Sequence, residues 1–351
     1  MEFNFTPRGM WSCEDIMAGR SISIVVTNFN GAGLLRRFLP SVLKAQAAYA
    51  GECEIIVVDD RSTDESLTVL RSEFPGVKIV AKDINEGFSH ACNAGFREAK
   101  NDIVLLLNND AGIKEDFLGL LPAHFEDEKV FAVTAKALDW DGKLFLDGGK
   151  VGRFQNGFWR VHGNYDVDLE KAGGERRHLS LHASGAFGAF RRKAVLELGG
   201  MDELMSPFNW EDTDLCYRAW KRGYETRYEP RCVAYHRPST TINATFKAFR
   251  IKKISSRNKF IFTWKNLTDG GMLASHLAFL IPRLLLNIFK FDIPFYAGFF
   301  AALARLPAIL EKRRIEAENA RITDRELESK LKNFYLREYV IFKHTGTGEI
   351  K

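Results

Sequence analysis

The stretch Asp102-Ile-Val-Leu-Leu-Leu-Asn-Asn-Asp110 decides how the rest of the chain is read. A turn-forming Asn101-Asp102 pair opens it, and Ile103 to Leu107 follows as one apolar run. Asn108, Asn109 and Asp110 then arrive together. So short a run, β-branched at its start and apolar on both faces, predicts a buried parallel strand. In an open α/β sheet, ligands bind beyond the carboxyl ends of such strands. A carboxylate there can hold a divalent cation, and the cation a phosphate. The same residues also suit a plain polar turn with a helix N-cap. The surrounding chain has to decide between the two.

Upstream, the same pattern recurs. Ser21 to Val26 reads as a strand ending in Thr27-Asn28-Phe29-Asn30-Gly31, and Leu34 to Ala50 has helical spacing. Glu54 to Val58 is a second buried strand, ending in Asp59-Asp60-Arg61-Ser62. Ser62 or Thr63 can cap the helix after it. Val77 to Ala81 is a third strand, and Asn85-Glu86-Gly87-Phe88 leads into a helix reaching about Lys100. Strand and helix alternate with crossovers long enough for parallel pairing, which predicts a doubly wound α/β sheet. Thr27-Asn28, Asp59-Asp60 and Asn108 to Asp110 then share one sheet edge. Polar residues scattered by chance would fall on both edges, so the coincidence argues for a site. No G-x-G-x-x-G follows the first strand, which argues against a dinucleotide-dependent dehydrogenase.

Composition narrows the class. The chain has 351 residues, 46% hydrophobic and 27% charged, as in folded soluble proteins. A net charge of +5 is too mild to point to nucleic acid, and no basic arm appears. Five scattered cysteines form no C-x-x-C pair and suit a reducing cytoplasm. Residues 1–20 form an N-terminal extension without the apolar core of a secretory signal.

Downstream, Lys114 to Glu128 reads as a helix and Val130 to Thr134 as a strand. Asp139 to Gly163 reads as turns and short hairpins outside the core. Leu179 to Phe190 carries small residues, Ser184-Gly185-Ala186 among them, which permit close backbone approach. In Phe208-Asn209-Trp210-Glu211-Asp212-Thr213-Asp214, the acids open a helix. They suit its dipole, or one of them is a general base at the helix mouth. Thr226 to Tyr228 and Cys232 to Tyr235 read as short strands before His236, which is either structural or a cation's nitrogen ligand. A catalytic domain over 21–245 follows, with a nucleotide-binding half at 21–135 and an acceptor half at 136–245.

Residues 246–351 change character to a helical region. Basic residues mix with Phe and Ile to Lys265, then come apolar pieces at Met272 to Phe289 and Ile293 to Leu310. Interrupted by Arg283, Pro282, Arg305 and Pro307, neither reaches the ~20 clean apolar residues of a spanning helix. Flanked by Lys312-Arg313-Arg314, they suit the membrane interface, or else a subdomain buried against the core or in a homodimer. Ile315 to Lys343 reads as a charged, exposed helical region, and Thr345 to Lys351 as a frayed end.

Together these residues resemble family 2 glycosyltransferases of the nucleotide-binding GT-A fold, and within them a bacterial rhamnosyltransferase-like group. The resemblance is carried by Val26 to Gly31, Val57 to Asp64, Asn85-Glu86-Gly87-Phe88 with Asn93-Ala94-Gly95, Leu107 to Asp110, and Trp210 to Leu215. It covers about Ser21 to His236, and it is the order of five weak motifs that makes it specific. It implies that Thr27, Asn28, Phe29 and Asn30 line a nucleoside pocket and that Asp59 or Asp60 bonds the base. It implies that Asn85, Gly87, Phe88 and Asn93 line the nucleotide-sugar side, with Asn108 and Asn109 beside them. Asn108 to Asp110 occupies the family's Asp-X-Asp metal motif with Asn108 as its first member, leaving Asp110 to ligate Mg2+ or Mn2+. His236 resembles a further metal ligand, and Asp212 matches the catalytic base. Gly185, Ala186, Trp210 and Glu211 fall on the acceptor side.

The chemistry is consistent with those roles. A divalent ion stabilises the charge developing on a departing diphosphate, and a sugar hydroxyl is a poor nucleophile until a carboxylate takes its proton. The expectation is an inverting, metal-dependent hexosyl or rhamnosyl transferase without a covalent intermediate. Its donor would be a UDP- or dTDP-sugar and its acceptor a glycan or lipid-linked glycan. It would be cytoplasmic and peripheral on the inner face of the plasma membrane. The competing reading is a catalytically silent nucleotide-sugar-binding or scaffold protein, kept open by Asn108. A sugar nucleotidyltransferase would need a Gly-rich, basic loop after the first strand, which Asn28 to Gly33 does not supply.

Overall fold

Four strands lie side by side and parallel in the order β3-β2-β1-β4: β1 (Ile22–Asn28), β2 (Cys53–Asp59), β3 (Lys78–Ala81) and β4 (Ile103–Asn108), and all but β3 have polar carboxyl ends. The computed structural model describes residues 20–236 and 245–343; most of the expected N-terminal extension and the expected frayed end at 345–351 lie outside them. β1 is buried along its whole length because helices cover both faces. Ile22, Ile24 and Val26 pack with Leu35, Leu39 and Val42 of α1 (Ala32–Ala48). Val25, one residue out of phase, packs with Ala91 and Phe96 of α3 (Phe88–Glu98). α2 (Ser66–Glu73) lies between β2 and β3 in the chain. Its expected cap at Ser62 or Thr63 is displaced: the Asp64 carboxylate accepts from Ser66 N at 3.0 Å and from Ala32 N of α1 at 3.0 Å.

Beyond β4 the sheet becomes mixed. β5 (Gly112–Ile113), β6 (Val130–Leu138), β7 (Phe145–Asp147), β10 (Gly188–Arg191) and β11 (Glu225–Tyr235) complete it, with β10 inserted antiparallel between β4 and β6 and β11 parallel to β6. The helix expected over Lys114 to Glu128 is a 3-10 turn at Leu118–Leu120 followed by a single turn, α4 (Pro122–Phe125). Pro122 has no N–H to continue a helix through it and sits at a first-turn position. The two short strands expected around Tyr228 and Tyr235 are one strand, β11, with a register shift between Glu229 and Val233.

The stretch expected to be peripheral hairpins is structural core. β8 (Gly149–Gln155) and β9 (Phe158–Val167) form a second sheet with β12 (Val340–Lys343), in the order β12-β9-β8. Phe158, Trp159 and Tyr165 are buried there. α5 (Leu169–Ala172) and α6 (Arg192–Glu197) are short connectors. α7 (Glu211–Lys221), α8 (Ala248–Asn266), α9 (Gly270–Phe289), α10 (Ile293–Leu303), α11 (Leu306–Asn319) and α12 (Asp324–Tyr335) enclose this second sheet. The boundary expected at 245 is therefore not a packing boundary, since one apolar cluster runs from Val151 to Val340. Nor is the chain after Ile315 an exposed helix: α12 buries Leu327, Leu331, Phe334 and Tyr335. Tyr335 Oη donates to Lys150 O at 3.0 Å and accepts from Gly152 N at 3.1 Å. Asp324, fully buried, accepts from Tyr217 Oη (2.6 Å), Lys221 Nζ (2.7 Å), Thr268 N (2.7 Å) and Asp269 N (2.6 Å). At 20 residues, α9 is also longer than expected: by length and composition it could cross a membrane.

Candidate active site

The register of the parallel strands sets Asn28 beside Asp59 and Thr27 beside Asn108, so the polar residues meet at one edge. Asp59 is fully buried and spent internally. Its Oδ2 accepts from Asn28 Nδ2 (2.8 Å) and Ser62 Oγ (2.6 Å), and its Oδ1 from Ser62 N (2.9 Å). Of the two acids open as base contacts, Asp59 ties the loops together and Asp60 reaches the cleft. Asp60 Oδ2 accepts from Gly87 N (2.8 Å) and Oδ1 from Lys82 Nζ (2.7 Å). Gly87, at φ +94°, lies so close to Pro207 that a Cβ would come within 2.6 Å of Pro207 Cα. Asn28 Oδ1 accepts from Asn109 Nδ2 (2.7 Å), locking β1 to the turn after β4.

These residues open onto a cleft of about 560 Å³. Thr27, Asn28, Phe29, Asp60, Asn85, Gly87, Phe88, Asn108 and Asn109 line it, as do Gly185, Ala186, Glu211 and Asp212. Besides Asp59, Asp110 and His236, the expected residues Asn30, Asn93 and Trp210 do not. Asn30 is exposed and its Oδ1 accepts from Thr63 N at 2.7 Å, holding the neighbouring loop. Asn93 is buried and bonded to Met201 in both directions, Nδ2 to O at 2.9 Å and N to Oδ1 at 2.8 Å. Trp210 turns away and stacks on Phe262, centroids 5.1 Å apart.

Asn209 and Trp210 enter α7 with φ of +72° and +76°, a left-handed pair that side chains disfavour. Buried Asn258 of α8 holds them: its Nδ2 lies 2.6 Å from Met205 O and 2.8 Å from both Phe208 O and Asn209 O. The bend delivers two adjacent carboxylates to different surroundings. Glu211 is buried with Oε2 unbonded, and burial, reinforced by the Asp212 charge, pushes its carboxyl up to about 8. Asp212 keeps an edge in the cleft. Its Oδ2 accepts from Gly185 N (3.3 Å) and its Oδ1 from Thr213 N (2.6 Å). Behind it, His182 Nε2 lies 3.9 Å from Asp212 Oδ2, and burial pulls that imidazole down to about 4, so it stays neutral.

Asp110 and His236 stand behind the cleft wall. Asp110 Oδ1 and His236 Nε2 are 3.3 Å apart, both buried, and neither has a hydrogen-bond partner. Unsatisfied buried oxygen and imidazole nitrogen facing one another fit a shared cation. Among the described residues no group of three or more His, Cys, Asp or Glu could hold a metal, so this pair leaves the remaining coordination positions to a ligand or water.

A sequence profile for glycosyl transferase family 2 matches residues 23–199. The chain belongs to this family. Curated relatives include a pre-mycofactocin glycosyltransferase of Mycobacterium tuberculosis, 26% identical over 62% of this chain and 43% of its own. A poly-beta-1,6-N-acetyl-D-glucosamine synthase of Staphylococcus epidermidis is 26% identical over 64% of this chain and 52% of its own. The chain thus spans about half the length of these relatives. Among solved structures, GalNAc-T7 with UDP, GalNAc and Mn2+ superposes with a TM-score of 0.54 at 18% identity, covering 72% of this chain and 49% of its own. S. aureus TarS with UDP-GlcNAc gives 0.50 at 17% identity over 94% and 98%. The fold is GT-A-like: a mixed α/β core with a C-terminal helical region.

Several lining residues of this family 2 domain escaped the sequence reading. Glu86, Ala91, Ser184 and the Ser206 to Asn209 loop join the cleft, as do Thr245, Phe246 and Arg250. Glu86 and Ser184 stood inside quoted motifs and were within reach. Arg250 belongs to the basic stretch before Lys265; only the path of α8 brings it to the cleft, with its guanidinium 4.6 Å from the Phe246 ring centroid.

Proposed function

We propose that this family 2 chain moves a sugar, hexosyl or rhamnosyl, from a UDP- or dTDP-linked donor to a hydroxyl of a glycan or lipid-linked glycan, with inversion at the anomeric carbon. The observation that carries the reading is Asp212. It is a carboxylate with an edge in the cleft, oriented by the Gly185 amide and set beside a Glu211 that burial keeps protonated at neutral pH. Asp212 takes the proton of the attacking hydroxyl. Thr27, Asn28, Asp60 and Asn109 present the donor's nucleoside side, and Phe88 with Gly185 forms the wall against which the sugar and acceptor are placed. One displacement suffices, so no covalent intermediate forms. Asp110 and His236 would hold a divalent cation, Mg2+ or Mn2+, which when bound would neutralise charge on the departing diphosphate.

The second reading, a binding protein without turnover, rests on Asn108 in place of the first acid of the motif. Calorimetry with UDP, dTDP, GDP and CMP, each with Mn2+, Mg2+ or chelator, followed by a transfer assay, separates the two. Metal-dependent binding of one diphosphate with turnover supports transfer. Binding without turnover in any acceptor mixture supports the second reading, and absence of all nucleotide binding removes both.

A further inference from the structure

α9 is apolar on both sides, and the protein covers only one. Its inner side is fixed: His276 Nδ1 lies 2.8 Å from Gly157 O, and Trp264 Nε1 donates to His276 Nε2 at 3.0 Å. Met272 is buried and Leu273, Leu280 and Leu284 pack on the second core. On the other side, every exposed residue from Ala274 to Phe289 is apolar, with Leu277, Ile281, Leu285 and Ile288 in a stripe. The stripe ends at Phe289, 79% exposed, and continues past Lys290 into Phe291, 86% exposed. A contiguous apolar face of this kind marks a contact surface.

We infer that this face docks on a lipid bilayer carrying anionic headgroups, with α9 lying in the interface plane. A crossing orientation conflicts with the side of α9 already packed on the protein. Charge selects the occupant. Of the thirteen Lys or Arg in residues 246–314, Lys247, Arg250, Lys252, Lys290 and Arg314 are exposed, against Glu311 alone among the three acids. Exposed Lys290 sits between Phe289 and Phe291, where its stem can lie along lipid while the ammonium reaches the headgroups. A second copy in a two-fold contact would set the same positive surface against itself, which is unfavourable. The corner also borders the cleft: Arg250 lines it, and Lys252, two residues on, pairs at 2.9 Å with Asp292, the N-cap of α10 just after Phe291. A hydroxyl on a lipid-anchored acceptor would be presented at that rim.

Co-sedimentation with vesicles of phosphatidylcholine alone, and of phosphatidylcholine with phosphatidylglycerol, tests this without recourse to activity. The wild type is expected to bind the anionic vesicles, more weakly at high salt. Ile281→Glu with Phe289→Glu is expected to lose about tenfold or more of that binding while unfolding at an unchanged temperature, because both positions are exposed. Lys290→Glu is expected to weaken binding to anionic vesicles alone. A wild type that stays in the supernatant with both vesicles overturns the inference, as does undiminished binding by the double variant. A concentration-dependent dimer that the double variant abolishes, without vesicle binding, overturns it too and assigns the face to a second copy.

Discussion

The Gly185 amide donates to Asp212 Oδ2 at 3.3 Å, so a backbone group aims the carboxylate proposed to start the reaction. Asp212→Asn keeps the shape and removes the proton acceptor. Transfer is expected to fall by roughly 10²- to 10⁴-fold with nucleotide affinity unchanged. Calorimetry beside a transfer assay checks both halves, and near wild-type turnover would exclude Asp212 as the base.

Glu211→Gln is expected to do the opposite. Burial holds Glu211 protonated up to about 8, against an ordinary 4.5, so the amide resembles its neutral state. The folded protein then binds a proton the unfolded chain releases. That contribution to stability is present at low pH and is lost as pH rises from 4.5 through about 8. Thermal unfolding across that window is expected to show the wild type losing ground to Glu211→Gln as pH rises. Parallel curves would mean that the carboxyl ionises in the fold.

Asp110→Ala and His236→Ala each remove half of a buried unsatisfied pair. Affinity for a nucleoside diphosphate in the presence of Mn2+ is expected to drop by about 10- to 100-fold, towards the value in chelator. Equal binding with and without metal in the wild type would leave the pair a structural ion contact.

Asn258→Ala leaves the carbonyls of Met205, Phe208 and Asn209 without their shared donor. A stability loss of roughly 1–3 kcal/mol is expected for that unsatisfied buried cluster. Turnover is expected to fall further than the unfolding curve accounts for, because the left-handed pair that places Asp212 relaxes. Chemical denaturation and steady-state kinetics on the same preparation separate the two.

Asp324→Ala is expected to cost about 3–5 kcal/mol, since Lys221 is left as a buried charge without its partner. Loss of cooperativity confined to the helices after 245 would mean that they fold apart from the catalytic domain. A single shifted transition is expected.

The donor half was readable because its rules are local. Each strand is a short apolar run, each turn follows it directly, and parallel pairing carries the polar ends to one edge. What the sequence hid depends on distant or one-residue choices. Asp59 and Asp60 are neighbours with the same chemistry, and strand alternation sends one inward to Asn28 and the other to the cleft. The β8–β9 hairpin is rich in Gly and aromatics, which alone read as loop; its burial comes from Tyr335 and the helices around it, far along the chain. Asn209 is of a type that tolerates a left-handed φ, but the same conformation at Trp210 has no signature in residue type and depends on the turn that Asn258 holds.

The pairing of β12 with β9 sets an order on biosynthesis. Residues 22–108 contain the four adjacent parallel strands β1 to β4 with helices α1 to α3, so that unit can close soon after it leaves the ribosome. β9 has to wait from Val167 until Val340 is made before its outer edge is covered. At typical elongation rates that interval is roughly ten to thirty seconds. Through it, a strand carrying Phe158, Trp159 and Tyr165 stands with an open edge, which makes this hairpin the segment where a chaperone would be needed.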